Sequence, residues 1–477
     1  MRFFNFKKLD DLKFEVKHLK LDDVIKFEEK LSKVFEPLKF DELKIGNRFA
    51  VHPMEGCDGT LDGKPDELTF RRWERFGAGG AKLIWGEATA VVEEGRANPR
   101  QLFLNEKNLK YFAELVKKTR DAHKKIWGDD SDLIIGIQLT HSGRWSYQKP
   151  FIVFHNPVVD KLTFIDRKRR TTIPSEYPTV SDDYLEKLED QFVKCAKLAY
   201  EAGFQFVDIK QCHTYLLNEL LAGKTRSGRY GGDFSNRTRF IKNVVEKIKS
   251  EIGNRIKIAS RINVFDCLPF IKDDTGVGKP VEYPIPYVYA FGVNEENPLE
   301  PDLTEPIKLV KLLYSLGVKL FNISMGSPYY NPHIGRPYET PPWDGYIQPE
   351  HPLVGVARHF KLTAEIKKNL QEDAIVIGTG YSYLRHFLVY AGEANLKEGK
   401  VSMIGLGRSA LAYPDFFIDL KKNGMLNPSK VCITISHCTN LMRSKHNELG
   451  QFPTGCVPRD TVYAKIFKEM KNSQNLV

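Results

Sequence analysis

Two short phrases carry the plainest chemistry in this chain: Gly378-Thr379-Gly380 after the apolar run Ala374 to Ile377, and Gly405-Leu406-Gly407-Arg408 after Val401 to Ile404. A buried strand that ends in bare glycine leaves backbone N–H groups open to close approach by a phosphate. Two such ends side by side make a cradle. Other apolar runs also end in chemistry-bearing residues: His52-Pro53-Met54-Glu55, Gly86-Glu87-Ala88, Gln138 to Arg144, Asp208 to Leu216, and Arg261.

The elements that must position these ends form a regular series. From Ile45 onward, short apolar strands alternate with longer amphipathic helices, the signature of a parallel sheet. Candidate strands are Phe49–Val51, Lys82–Trp85, Leu133–Gln138, Phe206–Lys210, Ile256–Arg261, Leu320–Ser324, Ala374–Gly378 and Val401–Gly405. Eight strands point to an α/β fold, a (β/α)8 TIM barrel, in which a phosphate cradle is expected after strands 7 and 8. Ser181 is placed to cap a helix whose apolar face runs Leu185, Leu188, Phe192, Ala196 and Ala199 before Gly203 stops it. Thr304 and Gly317 bracket another helix in the same way. Long loops, 263–303 and 325–354, follow strands 5 and 6 on the face where barrels place their chemistry. The second, rich in proline and carrying Tyr329, Tyr330, Trp343 and Tyr346, is expected to shape a pocket. The expected organisation is a charged N-terminal extension at 1–44, the barrel at 45–425, and a short Cys-containing C-terminal extension at 426–477 packed on it.

Composition narrows the setting. With 42% hydrophobic residues over 477 positions, one large core is affordable without a second domain. The excess of 71 basic over 61 acidic residues is modest for this surface and does not argue for nucleic acid. Seven scattered cysteines fit no secreted disulfide framework. No apolar run approaches 18 residues, and the start lacks a signal-peptide core. A soluble, cytoplasmic protein with no membrane partner is expected.

The strand ends, together with Tyr230-Gly231-Gly232-Asp233-Phe234-Ser235-Asn236-Arg237-Thr238-Arg239-Phe240 and Gln138-Leu139-Thr140-His141-Ser142-Gly143-Arg144, carry a resemblance. From about Ile45 to Asp415 the chain resembles, in order and spacing, the old yellow enzyme family of FMN-dependent NADH:flavin oxidoreductases. The resemblance implies FMN across the barrel mouth and NADH or NADPH as reductant. Backbone at Pro53, Met54 and Ala88 would line the isoalloxazine ring, with Glu55 beside it. Gln138 would donate and accept at the pyrimidine edge. Arg261 would supply fixed positive charge where the reduced flavin becomes anionic. Gly326, Gly378, Gly380, Gly407 and Arg408 would hold the ribityl phosphate. No metal is implied at this site.

The family's chemistry falls on strand 4, where its His-x-x-His or His-x-x-Asn pair and the following Tyr correspond to Lys210, His213 and Tyr215. The implied reaction is ping-pong reduction of an electron-poor alkene, with His213 polarising the acceptor group and Tyr215 as proton donor. Two departures bear on substrate and flavin. Lys210 brings full charge and favours a carboxylate or enolate-like oxyanion over a simple ketone. Glu55 stands where relatives often have Thr or Cys. It is expected to face Lys210 across the flavin, each partly neutralising the other, with capping of the Gly56–Gly59 loop as the alternative.

Larger relatives of the dienoyl-CoA reductase and trimethylamine dehydrogenase types follow the barrel with four cysteines that hold an iron–sulfur cluster. Here Cys432, Cys438 and Cys456 remain, but Ile435 occupies the second cysteine position and the last gap is 17 residues. A four-thiolate cluster is not expected, and a site of three Cys with His437 is the residual alternative. With the chain ending at Val477, no second dinucleotide domain is expected, so electrons must come from NAD(P)H or a separate protein. Two further readings stay open: an amine or C–N dehydrogenase passing electrons to a carrier protein, and an aldolase-like lyase using Lys210 as a Schiff base. A small-molecule substrate is common to all three, and family members are often homo-oligomers. The basic run Asp166-Arg167-Lys168-Arg169-Arg170 reads as a solvated turn.

Overall fold

The computed structural model describes residues 3–166, 169–445 and 450–474. Arg167 and Lys168 of the basic run lie outside them. Eight parallel strands close into a barrel: β1 (Phe49–Val51), β2 (Leu83–Ala90), β3 (Ile134–Thr140), β4 (Phe206–Ile209), β5 (Lys257–Asn263), β6 (Leu320–Ser324), β7 (Ile375–Gly378) and β8 (Met403–Leu406). They pair in sequence order, and β8 closes on β1 with Leu406 opposite Val51. Every strand expected from the sequence is present, with ends shifted by a few residues. Around them run α1 (Glu67–Gly79), α2 (Leu109–Trp127), α3 (Asp182–Glu201), α4 (Arg239–Ile252), α5 (Thr304–Ser315), α6 (Pro352–Lys368), α7 (Leu388–Lys397) and α8 (Phe416–Asn423).

The barrel interior is a packed core. Ala50, Leu83, Trp85, Ile134, Phe206, Ala259, Leu320, Ile375, Ile377 and Met403 fill it, and Phe40 and Ile45 join them from a hairpin that precedes β1 (Leu38–Phe40 and Leu43–Ile45). Phe206 meets Trp85 edge-on at 4.9 Å. Gly136 on β3 is glycine because a Cβ there would fall inside the Phe206 ring. The N-terminal extension thus stoppers one end of the barrel, leaving the opposite strand ends for chemistry.

Caps follow the expected logic with one correction. The Ser181 hydroxyl accepts from Tyr184 N at 3.1 Å and starts α3. Thr304 is the first residue of α5 and not its cap; its N–H is met by Asp302 Oδ1 at 2.8 Å. The motif from Tyr230 to Phe240 is structural. Tyr230 donates to Glu189 on α3, and Arg237 joins Gly232 O to Glu305 on α5, so this segment ties the two helices together.

The two long loops are sewn to each other: Asn331 Nδ2 donates to Asp266 O (2.9 Å) and Leu268 O (2.8 Å). The C-terminal extension braces this face. Glu339 N donates to Thr434 O, Trp343 N to Asn440 Oδ1, and Arg443 to Pro328 O. Thr454 N donates to Gly56 O at 2.7 Å, holding the loop after β1. No helix among the described residues is long and apolar enough to cross a membrane.

Candidate active site

The strand ends converge on Asp208 of β4. Its Oδ2 accepts from Gln138 Nε2 (2.6 Å) and Trp85 Nε1 (2.7 Å), and its Oδ1 from Arg261 N (2.7 Å). Burial raises its carboxyl to about 6 even against these bonds. One fully buried side chain therefore sets the rotamer of Gln138 and the strand position of Arg261. Sequence reasoning passed over it; an acidic residue inside an otherwise apolar strand was the available signal. Because one amide hydrogen of Gln138 is committed to Asp208, fewer of its groups face the mouth than expected.

Arg261 is buried, its Nε has no hydrogen-bond partner, and burial lowers its pKa. Such a buried cation is costly unless an anion or acceptor meets it. Arg408 Nη1 after β8 is orphaned in the same way, whereas His52 at the end of β1 meets the Gly378 backbone and, through Nδ1, Asn322 Nδ2 at 3.1 Å. Across the β7 and β8 ends, Gly380 sits at φ +97 beside His359, and a Cβ on Gly378 would come within 2.7 Å of Val401. A Cβ on Gly407 would stand 3.0 Å from Met54 Sδ, so β8 and β1 meet closely there, with Pro53 and Met54 partly exposed beside it. Gly326 contributes a turn and no free donor, since its N–H goes to Phe265 O and its φ is +64. Ala88 is opposite Gln138 in register, and its carbonyl accepts from Gln101.

A further arginine joins the cradle. Arg336, on the loop after β6, has a buried Nη2 without a partner, and burial together with the Arg408 charge lowers its pKa to about 10. Arg408 Nη2 donates to the adjacent Pro337 O at 2.6 Å. Two neighbouring guanidiniums with unmet donors suit a phosphate dianion. An aromatic and proline-rich loop gave no sequence signal for Arg336.

On the substrate side the chain turns sharply: His213 and Thr214 take left-handed backbone at φ +67 and +58. Non-glycine residues rarely adopt this conformation, and it marks functional sites where the surroundings enforce it. The turn presents His213 Nε2 to Ser324 Oγ at 2.9 Å and the Tyr215 hydroxyl to the Tyr329 hydroxyl at 3.1 Å. Burial holds the His213 imidazole neutral and the Tyr215 phenol protonated, its pKa well above 10.

Lys210 packs on Tyr215. Its ammonium lies 3.5 Å from the centroid of the Tyr215 ring, a cation–π contact, and burial lowers its pKa. Glu55 and Lys210 feel each other's charge, yet no ion pair joins them; Glu55 Oε1 instead accepts from Asn98 Nδ2 at 2.7 Å. Burial pushes Glu55 up to about 7. Lys210, Asn98 and Arg72 pull it down, and Glu87 adds to the rise. Nor does Glu55 cap the following glycine loop: Gly56 N donates to Glu87 Oε2 at 2.9 Å. Glu87 is itself held by Arg72 (2.5 Å) and Trp73 (3.1 Å), a buried network outside the mouth.

Cys432, Cys438 and Cys456 line a small cavity with Arg408. Among the described residues no group of three or more His, Cys, Asp or Glu side chains is placed to hold a metal, and the His437 ring stacks on Phe467 at 4.8 Å.

Residues 33–280 match the sequence profile of the NADH:flavin oxidoreductase / NADH oxidase family. The chain belongs to this family. It is 28% identical over 225 residues to an NADPH dehydrogenase of Clostridium acetobutylicum, covering 46% of this chain and 61% of that one. With an NADH:flavin oxidoreductase of Gibberella zeae it shares 26% identity over 318 residues, 63% of this chain and 65% of the other. The chain thus spans less than two thirds of these curated relatives. The old yellow enzyme homologue of Zymomonas mobilis superposes with TM-score 0.58 at 20% identity, over 83% of this chain and 95% of that one. A 2-naphthoyl-CoA reductase does so with TM-score 0.63 at 15% identity, over 92% and 58%. Both show the shared barrel fold. Membership in this old yellow enzyme family implies FMN and NAD(P)H. The orphaned Arg261, Arg408 and Arg336 nitrogens fit a flavin phosphate and an anionic ring edge.

Proposed function

We propose that the protein is an FMN-dependent NAD(P)H oxidoreductase that reduces an electron-poor alkene, with Tyr215 as proton donor. The observation that carries this reading is the Tyr215 phenol itself: buried, protonated, and set against the Tyr329 hydroxyl just after the left-handed His213–Thr214 step. FMN, when bound, supplies hydride transfer between nicotinamide and substrate. Arg336 and Arg408 with the Gly378–Gly380 and Gly407 turns would hold its phosphate, Gln138 its pyrimidine edge, and Arg261 the site of developing negative charge.

The chain's own residues divide the remaining work. His213, fixed by Ser324, offers a neutral imidazole to the acceptor oxygen of the substrate. Tyr215 gives its hydroxyl proton to the substrate carbon as negative charge develops there. Lys210 acts on the acid: an ammonium on the ring face stabilises the phenolate that proton donation leaves. With that charge engaged, and Glu55 in the mouth, a carboxylate-bearing substrate loses the residue that was to receive it. A simple unsaturated carbonyl compound fits better.

The test is the visible spectrum of the purified chain, with identification of the released cofactor, followed by NADPH reduction and re-oxidation by 2-cyclohexen-1-one. Stoichiometric FMN re-oxidised by the enone is the expected result. A colourless protein that takes up no added FMN refutes the reading.

A further inference from the structure

Tyr215 is 4% exposed, and its hydroxyl has one hydrogen-bond partner among the described residues, the hydroxyl of Tyr329. Lys210 covers the ring face and does not reach that oxygen as a hydrogen-bond partner. A buried acid that has given up its proton must regain one before the next turnover, and water has little direct access to it.

Tyr329 is built to meet that need. The residue is 39% exposed, so part of it reaches solvent, while its hydroxyl, whose pKa burial raises to about 12, touches the acid. Its ring stacks on Trp145 at 3.8 Å and 15°, and Trp145 Nε1 donates to Thr214 Oγ1 at 2.9 Å. Thr214 Oγ1 meets Ser327 Oγ at 3.1 Å, and Ser327 Oγ accepts from Tyr329 N at 3.3 Å. Trp145, Thr214, Ser327 and Tyr329 therefore form a closed ring of contacts. Three different strand-end loops contribute to it, and it fixes one hydroxyl against Tyr215. A tyrosine serving only as a wall would not need its phenol oxygen held in register with the acid's.

We propose that Tyr329 is a proton-relay residue that carries a solvent proton to Tyr215 across their direct hydroxyl contact. As Tyr215 releases its proton to the substrate carbon, a C–H bond forms and its O–H bond breaks. The Tyr215 oxygen takes the Tyr329 proton, and water restores Tyr329. No electrons move in the relay. The proposal rests on Tyr215 being the acid.

The test uses the FMN-loaded full chain, reduced with NADPH and mixed rapidly with 2-cyclohexen-1-one in H2O/D2O mixtures, for wild type, Tyr329→Phe and Tyr215→Phe. Phenylalanine keeps the stack on Trp145, and an unchanged flavin spectrum and NADPH-reduction rate report intact folding. The expected result for Tyr329→Phe is re-oxidation slowed by roughly tenfold. The dependence on deuterium fraction changes from curved, with two protons in flight, to linear. Imidazole buffer restores the rate in Tyr329→Phe and not in Tyr215→Phe. Wild-type rate and curvature in Tyr329→Phe, with Tyr215→Phe impaired, overturn the relay alone. Wild-type behaviour of Tyr215→Phe, or failure of the enone to re-oxidise the wild type, overturns both the acid and the relay. If Tyr329→Phe does not fold, Ser327→Ala loosens the same ring of contacts and must shift the deuterium dependence in the same direction.

Discussion

Glu55→Gln is the sharpest perturbation of the mouth. Burial raises the Glu55 carboxyl from 4.5 to about 7, so the folded chain holds that proton more tightly than the unfolded chain does. For a group raised in this way, its stabilising contribution is full below the unfolded value and is lost as pH rises through the folded one. At 1.36 kcal/mol per pKa unit the whole shift is worth about 3 kcal/mol, of which about 2.5 kcal/mol falls between pH 5 and pH 8. Glutamine stays neutral and its oxygen can still accept from Asn98, so the variant escapes the loss. Urea denaturation of the flavin-free protein should show the stability gap between variant and wild type widening by about that amount from pH 5 to pH 8, in favour of the variant. In the flavin-loaded protein the same change should raise the flavin midpoint potential above pH 7 and leave it nearly unchanged at pH 5.5. Parallel pH–stability curves would refute the assignment of a proton-binding carboxyl to this position.

Tyr215→Phe should slow alkene reduction by about 100-fold or more while flavin reduction by NADPH is spared, measured as separate half-reactions; equal loss in both would indicate a damaged fold. Asp208→Ala leaves three buried donors without their acceptor, at about 1–3 kcal/mol each, so denaturation should report a loss of more than about 3 kcal/mol. Arg336→Ala should weaken FMN binding by tenfold or more and leave riboflavin binding unchanged in fluorescence titration; equal effects on the two ligands would remove Arg336 from the phosphate site. Gly405→Ala places a methyl on the His52 ring and should abolish a soluble flavoprotein, read from expression and absorbance at 450 nm.

The barrel was legible because its strands are short apolar runs separated by amphipathic helices, and because β7 and β8 run into glycine turns. The candidate site residues were sought at strand ends for the same reason: a strand terminus fixes its neighbours within a residue or two. What escaped comes from through-space placement. Asp208 looked like one polar position in a strand, but two neighbouring strands bring Gln138 and Arg261 onto it. Asn98 and Arg336 sit on loops whose paths no periodicity encodes, and Tyr329, though expected in a pocket-shaping loop, meets the Tyr215 hydroxyl only through that loop's path. Lys210 was assigned to the substrate from its position in a motif, whereas the left-handed turn after Cys212 folds Tyr215 back beneath its ammonium. Charge type was readable there, and direction was not.

The brace supplied by residues beyond the barrel orders events in time. Thr454 holds the carbonyl of Gly56, next to Glu55, and Asp460 takes Arg71 and Arg75 of α1, with Arg71 lying 389 residues earlier. A ribosome delivers the first strand's loop long before its anchor. The contacts around Gly56 and α1 therefore close only once Thr454 and Asp460 have emerged, and a chain cut before them lacks this brace.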